Sequence, residues 1–525
     1  MHGQRGHISD WHTGQILLPS SHPCALAAHP ASFLPAAAAS PLCPFDHSCI
    51  FSPSLRGSRR YSGGFHYGGQ SGESIFALGT SPAGKSGVAV VRISGERAGA
   101  AVRQLTRAQE LPPPRLASLR KLYHRDELLD EGLVLWFPGP RSFTGEDMAE
   151  LHIHGSHAAI TAVLNALGKL PGMRSAEPGE FTKRAFQNGK MDLTEAEGLA
   201  DLIDAETEAQ RKQALRQMGG ALGRLCNEWR EELIKCIAHV EAVIDFGEDE
   251  HIDHEVAAAV QPRIKRLHDM IALHLSDSHR GERMRSGASL AIVGPPNAGK
   301  SSLLNLLARR KAAIVSSIPG TTRDVIEVSL DLAGYPLTIA DTAGIRHSED
   351  EIEKEGVALA RERFASSDIK ICLFDGTTYP SLEPDLLSLV DTSTLVVLNK
   401  KDLLTSAPAS VRLADGTQRR VITISCKNYE GLEDLTKALE SQVKSFFESG
   451  AAPDGAVVTR ARHREHLERY LDMAEEASAS REARMSIDMA AEELRRGLAE
   501  LGRITGRVDL DEILDVIFSD FCIGK

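Results

Sequence analysis

No uninterrupted apolar stretch in the 525-residue chain reaches the ~18 residues that a spanning helix needs, so no membrane span is expected. No Cys-x-x-Cys pair occurs among Cys24, Cys43, Cys49, Cys226, Cys236, Cys372, Cys426 and Cys522, which argues against a zinc ribbon or disulfide framework and for a reducing compartment. An excess of positive charge is missing too. With 60 Lys+Arg against 72 Asp+Glu the net charge is -12, so the chain is no unselective binder of phosphate backbones. Any contact with nucleic acid must use a local patch.

Acids are nearly absent from residues 1–70, which hold Asp10 and Asp46 against Arg5, Arg56, Arg59 and Arg60, so the rest of the chain carries -14. Residues 1–72 are rich in Ala, Ser, Pro and His and run into basic RGSRRYSGG. That composition fits an organelle transit peptide, with a disordered tail or a wrongly chosen start as the alternative. At ~150 residues per domain the remainder holds about three units. A mixed domain is expected over 73–192, opening as strand, Gly-rich turn and strand in ESIFALGTSPAGKSGVAVVRISG. Over 193–288 the pattern turns helical: Leu222, Leu225, Trp229, Leu233, Ile237, Val240 and Ile244 recur at three or four, as a buried stripe requires. Residues 289–442 alternate short apolar runs (SLAIVG, LTIAD, KICLFDG, TLVVLNK, VITIS) with helical stretches, the sign of a doubly wound parallel sheet. Helices return over 443–525. The fold class expected is α/β + α: an α/β domain inserted in a helical domain whose two halves pack together, preceded by a mixed α+β domain.

Two segments match G-x-x-x-x-G-K-S. After the first, Gly79–Ser86, comes GVAVVRISG, a strand, whereas a phosphate cradle needs a helix opening at the lysine so that backbone N–H groups face the phosphates. We read it as a decoy. The second, Gly294–Ser301, lies between the strand SLAIV and the helix-prone SLLNLLARR, so Gly294, Asn297, Ala298, Gly299, Lys300, Ser301 and Ser302 form a P-loop. Its companions follow in order. Asp341, Thr342, Ala343 and Gly344 end LTIAD, where the acid can hold magnesium through water and the glycine N–H can sense a γ-phosphate. Asn399, Lys400 and Asp402 end TLVVLN, and the Asp402 carboxylate can accept both donors of a guanine edge. Ser425, Cys426 and Lys427 end VITIS and offer a backbone donor to the guanine carbonyl. Such loops, all after strand C-termini, specify a P-loop GTPase. Lys300 neutralises the β/γ-phosphates, Ser301 ligates magnesium, and Gly320, Thr321 and Thr322 offer switch-loop hydroxyls. Ile345 stands where Ras-like proteins carry the water-orienting Gln, so water must be activated another way. Asn297 is either an extra oxygen ligand for a monovalent cation or a loop-shaping Asx turn.

GPPNAGKSS, GTTRD, DTAGIR, SFTGED, PGEFTKRAFQNGKMDL and the closing CIGK, read together, resemble the tRNA-modification GTPase family MnmE (TrmE) and its mitochondrial members from about residue 73 to Lys525. That resemblance implies G domains that dimerise across the nucleotide, with K+ held by Asn297, the backbone at Ser316 and Ile318, and Thr321. Mg2+ falls to Ser301 and Thr322, and Ser317 and Pro319 complete the nucleotide loop. Glu353 matches the residue that helps orient the attacking water; by charge alone it would be an ordinary solvated acid. The N-terminal region resembles a folate-binding, dimer-forming module, with Arg92, Glu150, Lys190 and Lys525 at the positions for a tetrahydrofolate derivative. Taken bare, Arg92 and Glu150 are surface or salt-bridge residues. Cys522 is read as a small buried hydrophobe, with a chemical role as the alternative. His152 and His154 are read as satisfied core or dimer-contact histidines rather than metal ligands. Ala83–Ser86 departs from the Gly/Arg-rich turn of bacterial members.

What the resemblance implies is a K+-stimulated GTPase that works with an FAD-dependent MnmG-type partner, the flavin coming from that partner. Together they would place a carboxymethylaminomethyl-type group on C5 of the wobble uridine of mitochondrial tRNAs, in the mitochondrial matrix, as a homodimer. The competing reading is an Era/Der-like ribosome-assembly switch. The folate-type N-terminus and CIGK end favour the first, and residues 456–518 lack the GXXG loop of an RNA-clamping KH module.

Overall fold

The computed structural model describes residues 73–80, 86–246, 250–277, 279–309, 313–314, 328–339, 361–406, 408–413, 416–448, 458–479, 487–508, 514, 517–518 and 521–524. Strands β1 (Ser74–Leu78) and β2 (Ser86–Ser94), helix α1 (Ala98–Thr106), β3 (Ser118–His124), β4 (Glu127–Phe137), β5 (Met148–Gly155), α2 (His157–Gly168) and β6 (Met173–Ser175) build a 6-stranded sheet ordered β3-β4-β5-β2-β1-β6. Alternation decides which face is wet. In β2, Ala89, Val91 and Ile93 are buried against α1 and α2 together with Leu151 and Ile153 of β5. Val90 and Arg92 of β2, with Glu150, His152 and His154 of β5, point to the other face, where they are half-buried or exposed.

Helices α3 (Glu180–Gln187), α4 (Leu193–Asp204), α5 (Glu208–Met218), α6 (Ala221–Phe246), α7 (Glu250–Leu275) and α8 (Arg280–Ser286) follow. Capping boxes start α4 at Asp192 and α5 at Thr207, satisfying N–H groups that the first turn leaves unpaired. Along α6 the buried stripe is Leu222, Cys226, Trp229, Leu233, Cys236 and Val240, while Leu225, Ile237 and Ile244 flank it half-buried. Two cysteines thus sit in the stripe as small hydrophobes, and burial pushes the Cys226 thiol up to about 12.

The second sheet is 8-stranded, ordered β13-β14-β12-β11-β7-β10-β9-β8. Its members in chain order are β7 (Ala288–Val293), helix α9 (Lys300–Arg309), β8 (Ala313–Ile314), β9 (Val328–Leu332), β10 (Tyr335–Ile339), β11 (Ile369–Asp375), β12 (Thr394–Asn399), β13 (Ser410–Arg412) and β14 (Gln418–Thr423). β7, β10, β11, β12 and β14 run parallel, and α10 (Leu432–Glu448) packs Leu435, Leu439 and Val443 beneath them. The antiparallel edges β8–β9 and β13 were not anticipated from apolar runs. β9 and β10 are a hairpin, turned at Ala333 and Gly334, both left-handed at φ 56 and 86.

After the sheet, α11 (Ala461–Ala479) and α12 (Ile487–Thr505) return to the first helices: Leu467, Tyr470, Leu494 and Leu501 share one core with Trp229 and Leu233. The halves on either side of the inserted sheet are thereby one helical body. Buried ions stitch it too. Glu197 of α4 accepts from Arg462 at 3.0 Å and from His463 Nε2 at 2.7 Å, and the His466–Glu500 pair at 2.7 Å is likewise buried. Among the described residues no helix is long and apolar enough to cross a membrane.

Candidate functional site

Every described loop expected at the nucleotide emerges from the C-terminal end of a parallel strand. β7 ends at Val293, the loop 294–299 turns, and α9 opens at Lys300, the order that aims backbone N–H groups at an anion. Two residues in the turn take left-handed backbone, Asn297 at φ 60 and Gly299 at φ 100. A Cβ on Gly299 would run into Asn399 Nδ2, so glycine is required there for geometry and for space. Ala298 is buried and its carbonyl accepts from Asn399 Nδ2 at 2.8 Å, which ties the P-loop to the end of β12. Lys300 Nζ donates to the carbonyls of Gly294 and Pro295 at 2.7 and 3.0 Å, and burial holds its ammonium below the usual lysine range. Asn297, Ser301 and Ser302 are exposed.

At the ends of β12 and β14 the polar groups fix one another. Asn399 Oδ1 accepts from Cys426 N at 3.1 Å, and buried Ser425 donates its hydroxyl to Asp402 Oδ1 at 2.6 Å. The Ser425 Oγ accepts in turn from Asn428 N at 3.1 Å. Among the described residues this leaves Asp402 Oδ2 as the unpaired half of an oriented carboxylate. Lys427 is exposed at the rim, and burial raises the Cys426 thiol to about 11, which keeps it a neutral wall. Residue-type reasoning missed Asp375, whose Oδ2 takes Lys400 Nζ at 2.5 Å. Burial works against that carboxylate, but bonds from Lys400 and Thr377 hold it below the usual range. A signal was available: Asp375 closes β11 in KICLFDG, at the same sheet end as the other loops. Ser316, Ser317, Ile318, Pro319, Gly320, Thr321, Thr322, Asp341, Thr342, Ala343, Gly344 and Glu353 lie outside the described residues.

The first Gly-Lys-Ser match is followed by β2, which starts at Ser86, and not by a helix. On the open face beside it, Arg92 Nε donates to Glu150 Oε1 at 3.0 Å, across the registered pair of β2 and β5. His152 Nε2 lies 3.4 Å from Glu150 Oε2, and Arg92 NH1 reaches Gly524 O at 3.4 Å. The chain end is clasped there: Ile523 bridges Pro178, and a Cβ on Gly524, at φ 92, would overlap Leu78 O. Lys190 donates instead to Pro140 O at 3.0 Å, and Lys525 lies outside the described residues. Cys522 corrects its buried reading. Its neighbour Phe521 enters the core with Phe518, but Cys522 and Ile523 run along the surface and are exposed. His154 is also no core residue; it is exposed and pairs with Asp130 at 2.7 Å.

Two family models cover this architecture: "MnmE helical domain" matches residues 193–522 and "GTP-binding protein TrmE N-terminus" matches residues 74–190. The chain belongs to the MnmE (TrmE) family. Among relatives of this MnmE-family chain, the Paramagnetospirillum magneticum protein named "tRNA modification GTPase MnmE" is 53% identical over 459 residues, 86% of this chain and 100% of that protein. Two vertebrate relatives are named "5-taurinomethyluridine-[tRNA] synthase subunit GTPB3, mitochondrial". The Danio rerio protein is 50% identical over 86% of this chain and 93% of its own length. For the Homo sapiens protein the figures are 47%, 87% and 94%.

Proposed function

We propose that this chain is a GTP hydrolase of tRNA modification that acts, with an FAD-dependent MnmG-type partner, on C5 of the wobble uridine of mitochondrial tRNAs. The added group is built on an aminomethyl unit, of carboxymethylaminomethyl type or its taurine counterpart, and is drawn through a tetrahydrofolate derivative. One observation carries the reading: a single chain joins the interlocked guanine pocket of Asn399, Ser425 and Asp402 to the Arg92–Glu150 pair, over which its own C-terminus closes. A ribosome-assembly switch needs only the first. Relatives named as tRNA modification GTPase and as mitochondrial taurinomethyluridine synthase subunits support the same reading, and the mitochondrial names with the acid-poor leader support a matrix location.

Roles follow from phosphoryl transfer, where positioning and charge neutralisation dominate. Lys300 supplies charge to the β/γ-phosphates and the α9 N-terminus supplies N–H donors. The exposed hydroxyl of Ser301 is the hard oxygen that magnesium takes, so the donor set fits. Thr322 is its partner in that role. Asn297 is exposed and its amide has no partner among the described residues, which fits a ligand for K+, with the backbone at Ser316 and Ile318 and Thr321 completing the set. Held by these residues, Mg2+ and K+ would supply positive charge beside the transferring phosphoryl group. Glu353 orients the attacking water. In the N-terminal sheet, Arg92 and Lys525 suit a glutamate tail and Glu150 suits the donors of a pterin, with Lys190 beside them. Cys522, exposed at that chain end, is available for chemistry. The open sheet face supports a homodimer contact through this module.

Mass spectrometry of wobble uridines in mitochondrial tRNAs from cells lacking the chain, with and without re-expression, tests the proposal. Loss of the C5 side chain that re-expression restores is expected; intact modification beside defective ribosomal subunits overturns it.

A further inference from the structure

We propose that the β3 edge of the N-terminal sheet, with the end of α1 and the β3–β4 turn, is the surface on which the sugar–phosphate backbone of the tRNA docks. This rests on the reading above that the substrate is tRNA. Arg103, Arg107, Arg115, Arg120, Lys121 and Arg125 are all exposed there, in a chain whose net charge is -12. They lie along β3 and at its two ends, Arg120 and Lys121 turning to opposite faces of this edge strand. Near the β3–β4 turn the Arg107 guanidinium stands 4.3 Å over the Tyr123 ring and donates to Arg125 O and, at 3.0 Å, to Asp126. At the other end Arg115 N donates to Trp136 O at 2.8 Å and its guanidinium donates to Arg141 O. Between them runs β3, whose 7 residues span ~23 Å, long enough to follow several phosphates of one strand.

Charge on an edge strand also wards off pairing with other strands, and that purpose alone would explain Arg120 and Lys121. It does not explain the backbone. Arg107, Arg115 and Arg125 are left-handed, at φ 54, 62 and 51, where glycine or asparagine would sit without strain. Two of the three reach partners in the chain itself, Arg107 at Asp126 and Arg115 at Arg141 O, which leaves Arg125 as the strained position whose side chain has solvent before it. The side chains of Arg103, Arg120, Lys121 and Arg125 have no ion-pair partner among the described residues, although Lys121 stands in register with Glu131. Arginine, which predominates here, presents the fork that phosphate oxygens accept and a plane that stacks on bases. A polyanion with a regular backbone therefore fits better than an acidic peptide or a lipid surface.

The test uses the full-length chain and an in vitro transcribed mitochondrial tRNA, with affinity measured over a KCl series. For R120Q/K121Q/R125G we expect at least ~10-fold weaker binding at low salt and a log–log salt slope shallower by about 2. GTP hydrolysis without tRNA should be unchanged. An R211Q/K212Q/R216Q variant on α5 removes the same charge elsewhere and should keep the wild-type slope. R125G alone guards against misfolding: glycine suits that backbone, so thermal stability holds or rises while the slope still falls by ~0.7. Unchanged affinity and slope in the β3 variants would overturn the proposal, as would equal loss in the α5 variant. Loss of binding to anionic phospholipid vesicles with tRNA binding intact would assign the surface to lipid instead. If the β3 variants bind tRNA normally while cells lacking the chain lose the wobble modification, this surface fails and the functional reading stands. If modification survives loss of the chain, both fail.

Discussion

Gly294–Ser301 and Gly79–Ser86 share one spacing of glycine, lysine and serine, yet the chain leaves them in opposite ways. From Lys300 it coils into α9, so successive N–H groups converge on the loop; from Ser86 it extends as β2, and its N–H groups are spent on the ladders with β1 and β5. An anion site is thus a property of where backbone donors point, and side chains of the right type only complete it. Exchanging each lysine tests this hardest. Lys300→Ala should lower GTP turnover on the order of 10³-fold or more, and Lys85→Ala should leave it within about two-fold. Comparable losses in a steady-state phosphate-release assay would break the contrast.

A second pair of like groups differs in the same way. Glu150 sits half-exposed on the open sheet face, its side chain 21% accessible, whereas Glu197 is 1% accessible under Arg462, Arg460 and His463. Burial works against the Glu197 carboxylate, but His463, Arg462 and Arg460 outweigh it and bring it down to about 2. The folded value therefore lies below the unfolded 4.5, so its stabilisation is complete above pH ~4.5 and is lost as pH falls from there towards 2. Glu197→Ala removes the carboxylate that Arg462 and His463 share in a buried site, while Arg460 keeps Asp201 at 2.7 Å, and should cost about 3 to 5 kcal/mol in chemical denaturation. Glu197→Gln should flatten the acid limb of stability against pH. An unaltered acid limb would mean another group sets it.

How far the sequence shows these things depends on distance along the chain. The parallel strands, the P-loop and the stripe on α6 are legible because each is a local pattern closed within about twenty residues. β8 and β13 were hidden because short edge strands bury little and leave no apolar run, and β9 because Asp331 and Ser329 break its apolar residues apart. Pairings such as Asp375 with Lys400, Arg92 with Gly524 and Glu197 with His463 join residues 25, 432 and 266 positions apart, and no spacing records them. Cys522 misled for a related reason: an apolar run at a chain end reads as core, but the bridge at Ile523 lays it along the surface.

Two aspartates at the ends of β11 and β12 sharpen the contrast further. Asp402 is aimed by Ser425 and leaves one oxygen free, while Asp375 spends its carboxylate on Lys400 and Thr377. Asp402→Asn should shift preference from GTP to xanthosine triphosphate by ~10²-fold, because an amide matches the altered edge of that base. Asp375→Asn should weaken GDP binding by about ten-fold or less without changing the preferred base. A shift in base preference for Asp375→Asn would give it a direct contact.

The smallest effect on the fold is expected at Arg92. Its partner Glu150 is half-exposed, and such pairs contribute under about 1 kcal/mol, so Arg92→Ala should barely move the denaturation midpoint. Basal GTP turnover should be unchanged as well, since Arg92 sits on the first sheet and the described loops proposed for the nucleotide on the second. What should fall is the wobble modification in complemented cells, together with binding of a tetrahydrofolate derivative followed by calorimetry. Arg92→Lys keeps the charge but loses the fork, and should recover only part of that binding. If Arg92→Ala instead costs several kcal/mol and leaves folate binding intact, the pair is a structural strut like Glu197, and the contrast between the two carboxylates collapses.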